Sequence, residues 1–280
     1  MTLAAHLTAE HHEKRLLGLL NHFSYNHRVS TVFSDFIEMS ALAISNAVDR
    51  AQYHARETQW SKINGRYSKE EAARFPAMLG ELTMAFERRV EALQACGECD
   101  GAIPLSCDLA DVLGATFMAL EAGNTRAGQF FTPYEVSVLM ADMTLQDVGR
   151  TIEENGFVTL LEPAVGAGGM VIAAAEAIHA RGFNYQQVMH ATCVDVDLRC
   201  VHMTYLQLSL LHIPAIVVHG NSLTVEEWST WYTPAHVLGG WSRRLRRAPV
   251  AEKLERARAA SPQGPSDASN SEIETSTSTR

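Results

Sequence analysis

The stretch from residue 157 to 223 constrains this chain more than any other. "FVTLLEP" (157–163) is a short apolar run that ends in a turn, and "GGMVIAAAEAIHARG" after it is an alanine-rich helix with a glycine stop. "MHATCVDVD" (189–197) is strand-like. "LRCVHMTYLQLSLLHI" is a helix that places Val201, Tyr205, Leu208 and Leu211 or His212 on one side, and "AIVVHG" (215–220) is a further strand. Strand, helix, strand, helix, strand predicts a parallel sheet, half of a doubly wound nucleotide-binding fold.

The first strand-to-helix turn, "LEPAVGAGG" (161–169), is unusually bare. In a doubly wound sheet the ligand lies outside the carboxyl ends of the strands, and this turn must approach it closely. Gly166, Gly168 and Gly169 remove side chains, permit positive φ and leave backbone N–H groups at a helix start. A glycine turn that only packs a helix on a strand would read alike. The turn matches neither GxxxxGK[ST], since no lysine follows, nor GxGxxG, since Val171 stands at the third glycine position. Glu162 would repel a polyphosphate and attract a cation. S-adenosylmethionine, with an ammonium and a sulfonium, is a ligand of that kind. Asp195 at the second strand end suits ribose hydroxyls, and Asn221 after the third suits an adenine edge. Each is equally at home in a turn.

Residues 7–127 read as helical. In "FSDFIEMSALAISNAVDRAQ" the positions Phe33, Phe36, Ile37, Ile44, Ala47 and Val48 recur on one face, and "SKEEAARF" begins as a helix N-terminus does. Composition shifts again after 242, where "RRLRRAPVAEKLERARAA" is basic and "SPQGPSDASNSEIETSTSTR" is polar. The expected organisation is a helical N-terminal domain (1–127), an α/β domain that binds S-adenosylmethionine (128–242), and a basic segment with a disordered polar tail (243–280).

Charge bears on partners. The formal net charge is −9. Residues 1–127 hold 12 Lys/Arg against 16 Asp/Glu, residues 128–242 hold 3 against 11, and residues 243–280 hold 8 against 5. The segment with the glycine turn therefore has few cations to grip a phosphate backbone. Arg243, Arg244, Arg246 and Arg247 are a candidate DNA contact, though such a run is usually a solvated face. Five cysteines (Cys96, Cys99, Cys107, Cys193, Cys200) form no disulfide framework, and the single CxxC at 96–99 is not expected to make a zinc site. With no signal-like or membrane-length apolar run, a cytoplasmic protein without membrane contact is expected.

The motifs in order resemble the adenine-N6 DNA methyltransferases, especially the modification subunit of type I restriction-modification systems. "AGQFFTPYEVSVLMADM" (127–143) resembles the family's GqFfTP element, "EPAVGAGGM" its DPacGsGG loop, "CVDVDLRCVHMTYLQLSLLHI" its ribose-binding acid and following helix, and "VVHGNSL" its GDsL. "DLADVLGATFMALEAG" is similar to the helix leading into FFTP. The resemblance implies a Rossmann-like S-adenosylmethionine-dependent methyltransferase sheet of α/β class. It also implies a cofactor site at Gln129, Phe130, Phe131, Thr132, Pro133, Glu162, Ala164, Gly166, Gly168, Asp195 and Asn221, and action on DNA through a partner or specificity subunit, as a hetero-oligomer.

The family's catalytic tetrapeptide, NPPY or NPPF, occurs nowhere in the chain. Its side-chain amide and a backbone carbonyl would accept hydrogen bonds from the target amino group, and its aromatic would stack on a flipped-out base. The nearest trace is "YTPAH" (232–236), where a surface loop accounts for Tyr232 and His236 equally well. Residues 157–242 supply three strands and part of a fourth, so the sheet is expected to be incomplete. Two functions stay open: an adenine-specific methyltransferase that works with a partner, and a catalytically silent cofactor-binding or scaffold protein.

Overall fold

The computed structural model describes residues 2–96, 108–121 and 131–247. The CxxC at 96–99, Cys107, Gln129, Phe130 and the boundary drawn at 127/128 lie outside the described side chains. The chain divides into two compact units, 1–242 and 243–280.

The helices before the sheet are α1 (Thr2–Asn21), α2 (Val29–Val48), α3 (Tyr53–Asn64), α4 (Lys69–Ala72), α5 (Arg74–Cys96) and α6 (Val112–Glu121). Helix α4 starts where "SKEEA" predicts. The Ser68 side chain accepts from the Glu71 N–H and the Glu71 carboxylate from the Ser68 N–H, a reciprocal cap. Helices α1 and α5 pack together and are tied by charge: His12 meets Glu81 at 2.7 Å, and the buried Arg89 bonds Glu13 and Asp108. The face of α2 is broader than its apolar periodicity. Phe33, Phe36 and Ile37 are buried, Ile44 is half-buried and Ala47 is exposed, while the polar Asp35, Ser40, Ser45 and Asn46 are buried. Their partners explain this: Asp35 accepts from Arg66 and Tyr67, Ser45 from Arg56, and Asn46 donates to Glu57.

The second half carries α7 (Tyr134–Thr144), α8 (Val148–Asn155), β1 (Val158–Glu162), α9 (Gly169–Ala180), α10 (Tyr185–Val188), β2 (Met189–Asp195), α11 (Leu198–Leu210), β3 (Ala215–Asn221), β4 (Glu226–Tyr232), α12 (Pro234–Leu238) and α13 (Trp241–Arg247). Among the described residues there is one sheet, in the order β1-β2-β3-β4. The expected parallel ladder is present, with Leu160 opposite Ala191 and Cys193 opposite Val217. The partial fourth strand is a full seven-residue one and runs antiparallel to β3, with an irregularity at His219/Gly220. The protein is thus a mixed α/β fold with a four-stranded sheet.

Helix α11 is the spine. Side-chain spacing predicts one buried side, yet every residue from Cys200 to Ser209 is buried, because α2 lies along one flank and β2 and β3 along the other. The apolar core runs without a break from Leu16 and Phe33 to Val171, Leu208 and Val217. Cys193 and Cys200 are free, buried thiols, and burial pushes both above the usual thiol range. No helix among the described residues is long and apolar enough to cross a membrane.

The segment after β4 corrects the surface-loop reading of His236. Thr233 caps α12, Pro234 occupies its first turn, and His236 is buried with Nδ1 2.8 Å from His190 Nε2. Trp241, fully buried, stacks on His190 and Phe157. These side chains pin the end of the unit to the start of β2, at the amino ends of the parallel strands.

Candidate functional site

The site grows from the turn between β1 and α9. Gly166 and Gly168 have φ of +57° and +103°, a region that L side chains rarely adopt. Space for a side chain is tight as well. A Cβ on Gly166 would meet the Phe131 ring at 3.0 Å, and one on Gly169 would meet the Asp111 carboxylate at 3.2 Å. Phe131 stands beside the turn and packs on Phe117, with ring centroids 5.2 Å apart.

Two elements, β2 and α11, hold the turn by its backbone. Asp195, at the end of β2, accepts from the Gly166 N–H through Oδ2 (2.9 Å) and from the Asp197 N–H through Oδ1 (2.9 Å). On α11, Thr204 donates to the Gly166 carbonyl (2.9 Å) and Gln207 to that of Ala167 (2.7 Å). Gln207 also donates to Asp111 (2.7 Å) and accepts from the Leu113 N–H (3.0 Å), and Asp111 accepts from the Gly114 N–H (2.8 Å). Burial raises the Asp111 carboxyl above the usual range, against the pull of these donors. A second buried acid stands below. Glu176 accepts from the Leu109 N–H and the Tyr134 hydroxyl, and burial raises it to about 7. The pair ties α9 to the start of α7 just after Phe131–Pro133.

These elements enclose a cavity of about 320 Å³ lined by Phe131, Thr132, Glu162, Ala164, Val165 and Gly166, with Asp111, Ser137, Met140 and Met170 contributing. That is at the lower end of sizes for small-molecule sites. Of the residues expected from sequence, Phe131, Thr132, Glu162, Ala164 and Gly166 therefore meet at one opening. Gly168 sits beneath it against Thr204, and Pro133 precedes α7. Asp195 reaches the site through the Gly166 N–H. Asn221 ends β3 and does not line the cavity; its Oδ1 accepts from the Leu223 and Thr224 N–H groups and shapes the turn into β4.

Among the described residues no Lys or Arg lines the cavity, and its carboxylates are the half-buried Glu162 and the buried Asp111. Half-burial raises Glu162, offset in part by the Ala164 N–H at 3.4 Å. A desolvated carboxylate beside a bare backbone suits a cation and disfavours a polyphosphate. Sequence reasoning missed Asp111, Ser137, Met140, Met170, Thr204 and Gln207. A signal existed for two of them: Thr204 and Gln207 are polar, three residues apart, in the apolar run of α11.

Residues 112–238 match the family model described as N-6 DNA methylase. No curated protein matches the chain. Among solved structures, the chain is similar to a type I restriction-modification system methyltransferase subunit from Streptococcus thermophilus, with 14% identity and a TM-score of 0.34. That likeness covers 82% of this chain and 60% of the other, so the chain spans less than two thirds of that subunit's length.

Proposed function

We propose, from the match of residues 112–238 to the N-6 DNA methylase model, that this chain is the S-adenosylmethionine-binding part of an adenine-specific DNA methyltransferase of restriction-modification type. It acts on DNA together with a partner or specificity subunit. The observation that carries the reading is the cavity at the Glu162–Gly166 turn, lined by the half-buried Glu162 carboxylate and built on glycines whose positive φ strains any side chain.

The residues fit the cofactor by their chemistry. Glu162 supplies the negative charge for an ammonium or sulfonium. Each oxygen of Asp195 accepts one backbone N–H and keeps a second lone pair for a ribose hydroxyl. Asn221, with Oδ1 engaged in its own turn, has its amide N–H groups to offer an adenine ring nitrogen. Phe131 and Thr132 close the cavity from the α7 side, and the family resemblance adds Gln129, Phe130 and Pro133 to the cofactor contacts. When bound, the cofactor supplies an electrophilic methyl group; this chain's own residues bind and orient it and exclude water from its apolar parts.

Isothermal calorimetry of the full chain with S-adenosylmethionine tests this. Binding that Gly166→Val abolishes and Asp195→Asn weakens by about tenfold, one lost charged hydrogen-bond acceptor, is the expected result. No heat from the wild-type chain would remove the reading. The second reading, a catalytically silent module, is favoured by the segment at the end of β4: Tyr232 closes the strand and Thr233 to His236 form the cap and first turn of α12, with His236 buried beside His190 and not at the cavity. Adenine methylation assayed with the chain alone and with co-expressed neighbouring gene products separates the two.

A further inference from the structure

The two oxygens of the Asp111 carboxylate are used unequally. Oδ1 accepts from the Gly114 N–H (2.8 Å), which caps the start of α6, and from the Gln207 amide (2.7 Å). Oδ2 accepts from no described residue, and no described cation pairs with the carboxylate. Oδ2 lies on the side of Gly169, where an added Cβ would meet it at 3.2 Å, and Asp111 and Gly169 both line the cavity. One neutral acceptor atom would serve both bonds of Oδ1, so an Asn side chain would satisfy the fold. The chain instead buries a carboxylate, 9% exposed, and burial raises it because its charge is without a partner.

A second polar group at the cavity is idle. Ser137 on α7 is 1% exposed and lines the same space. Helical hydroxyls elsewhere in this chain bond back to the carbonyl four residues earlier, as Ser34 does to Ser30 and Thr116 to Val112. At Ser137 the Pro133 carbonyl accepts only the backbone N–H, and the hydroxyl bonds no described residue. A buried hydroxyl left this way is costly unless something else bonds it.

We propose that Asp111 and Ser137 form the subsite for a primary ammonium, that of the amino-acid end of S-adenosylmethionine, and so set the preference of the cavity for ligands that carry this group. An ammonium has three N–H donors and no acceptor. It fits two vacant acceptors, one of them charged: Asp111 Oδ2 accepts one N–H and the Ser137 hydroxyl another. A sulfonium has no N–H or O–H to donate and asks only for nearby negative charge, which Glu162 supplies at the same cavity. The bound ammonium is the partner that the buried Asp111 charge lacks. The inference rests on the cofactor reading above and adds which atoms recognise the amino-acid end.

The test is calorimetry of the full chain with two nucleosides besides S-adenosylmethionine. S-adenosylhomocysteine keeps the ammonium and has no sulfonium, and methylthioadenosine has neither; its affinity is read by competition against S-adenosylhomocysteine. Asp111→Asn keeps the shape and both Oδ1 bonds, and should lower the affinity for S-adenosylhomocysteine about tenfold or more, with Ser137→Ala lowering it about threefold. Both variants should leave methylthioadenosine within about twofold of the wild type. Circular dichroism checks each fold, and Ser137→Ala carries the test alone if the Asn variant does not fold. Equal losses for both nucleosides would show that these residues only shape the turn, and unchanged affinity for both would show that they do not touch the ligand; either result overturns the inference and leaves the cofactor reading standing. A wild-type chain that binds none of the three ligands removes that reading, and this inference with it.

Discussion

Two acids below and beside the glycine turn behave in opposite ways toward pH. Glu176 is raised to about 7 by burial, so the folded chain holds its proton more tightly than the unfolded chain does. Stability from this group is complete below about 4.5 and is lost as pH rises through about 7, a change of about 3 kcal/mol. Thermal unfolding of the wild type and Glu176→Gln should show the variant gaining on the wild type between pH 5 and pH 8; parallel curves would mean that the carboxyl does not titrate there. Glu162 is also raised, but it stands at the cavity and acts through its charge. Affinity for a cationic ligand should decline toward acid pH sooner than an ordinary carboxylate would allow, and Glu162→Gln should bind more weakly with that acid limb gone. The sequence displayed Glu162 through its place between a strand and a glycine turn. It hid Glu176, an acid within "AAAEAI" whose partners, Leu109 and Tyr134, lie 67 and 42 positions away.

At the level of elements, periodicity and punctuation located β1, β2, β3, α9 and α11, because each is bounded by a glycine, a cap or an acid at the strand end. They could not show that α11 is buried all round, since an apolar helix reads alike with one neighbour or three. Nor could they place β4: "EEWSTWY" is half acidic and aromatic, and it joins the sheet through the turn that Asn221 shapes, Oδ1 to the Leu223 and Thr224 N–H groups. The join between β3, β4 and α12 rests on one hydroxyl. Thr233 Oγ1 accepts from the Ala215 N–H (2.9 Å) and the His236 N–H (3.4 Å), donates to the Ile213 carbonyl (2.9 Å), and is fully buried. Thr233→Val keeps the shape and strands these partners. The expected cost is about 2–3 kcal/mol, read as a lower denaturation midpoint with an unchanged slope; a loss below about 0.5 kcal/mol would show that water replaces the hydroxyl.

For the molecule as a whole, the question is whether the helices before the sheet are a domain of their own. A composition change suggests a division at 127/128, and contact grouping holds residues 1–242 together as one compact unit. The physical tie is between α2 and α11. His202, Tyr205 and Ser209 are buried on α11, and Arg56 from α3 bonds Ser45 and Asp49 while lying 4.2 Å over the Trp231 ring of β4. His202, at the same interface, is depressed to about 3 by burial, so it stays neutral at any pH where the fold is intact. A fragment of residues 128–242 would expose this face of α11 and strip the turn of Asp111, which Gln207 holds. Such a fragment should lack a cooperative thermal transition and bind hydrophobic dyes, whereas 1–242 should unfold in one transition. If 128–242 melts cooperatively and still binds S-adenosylmethionine, the cofactor region folds by itself and the N-terminal helices are an appended domain. If it does not, residues 1–127 and the sheet fold only together, and a substitution such as Phe36→Ala, deep in the helices, should weaken cofactor binding at the glycine turn through loss of the shared core.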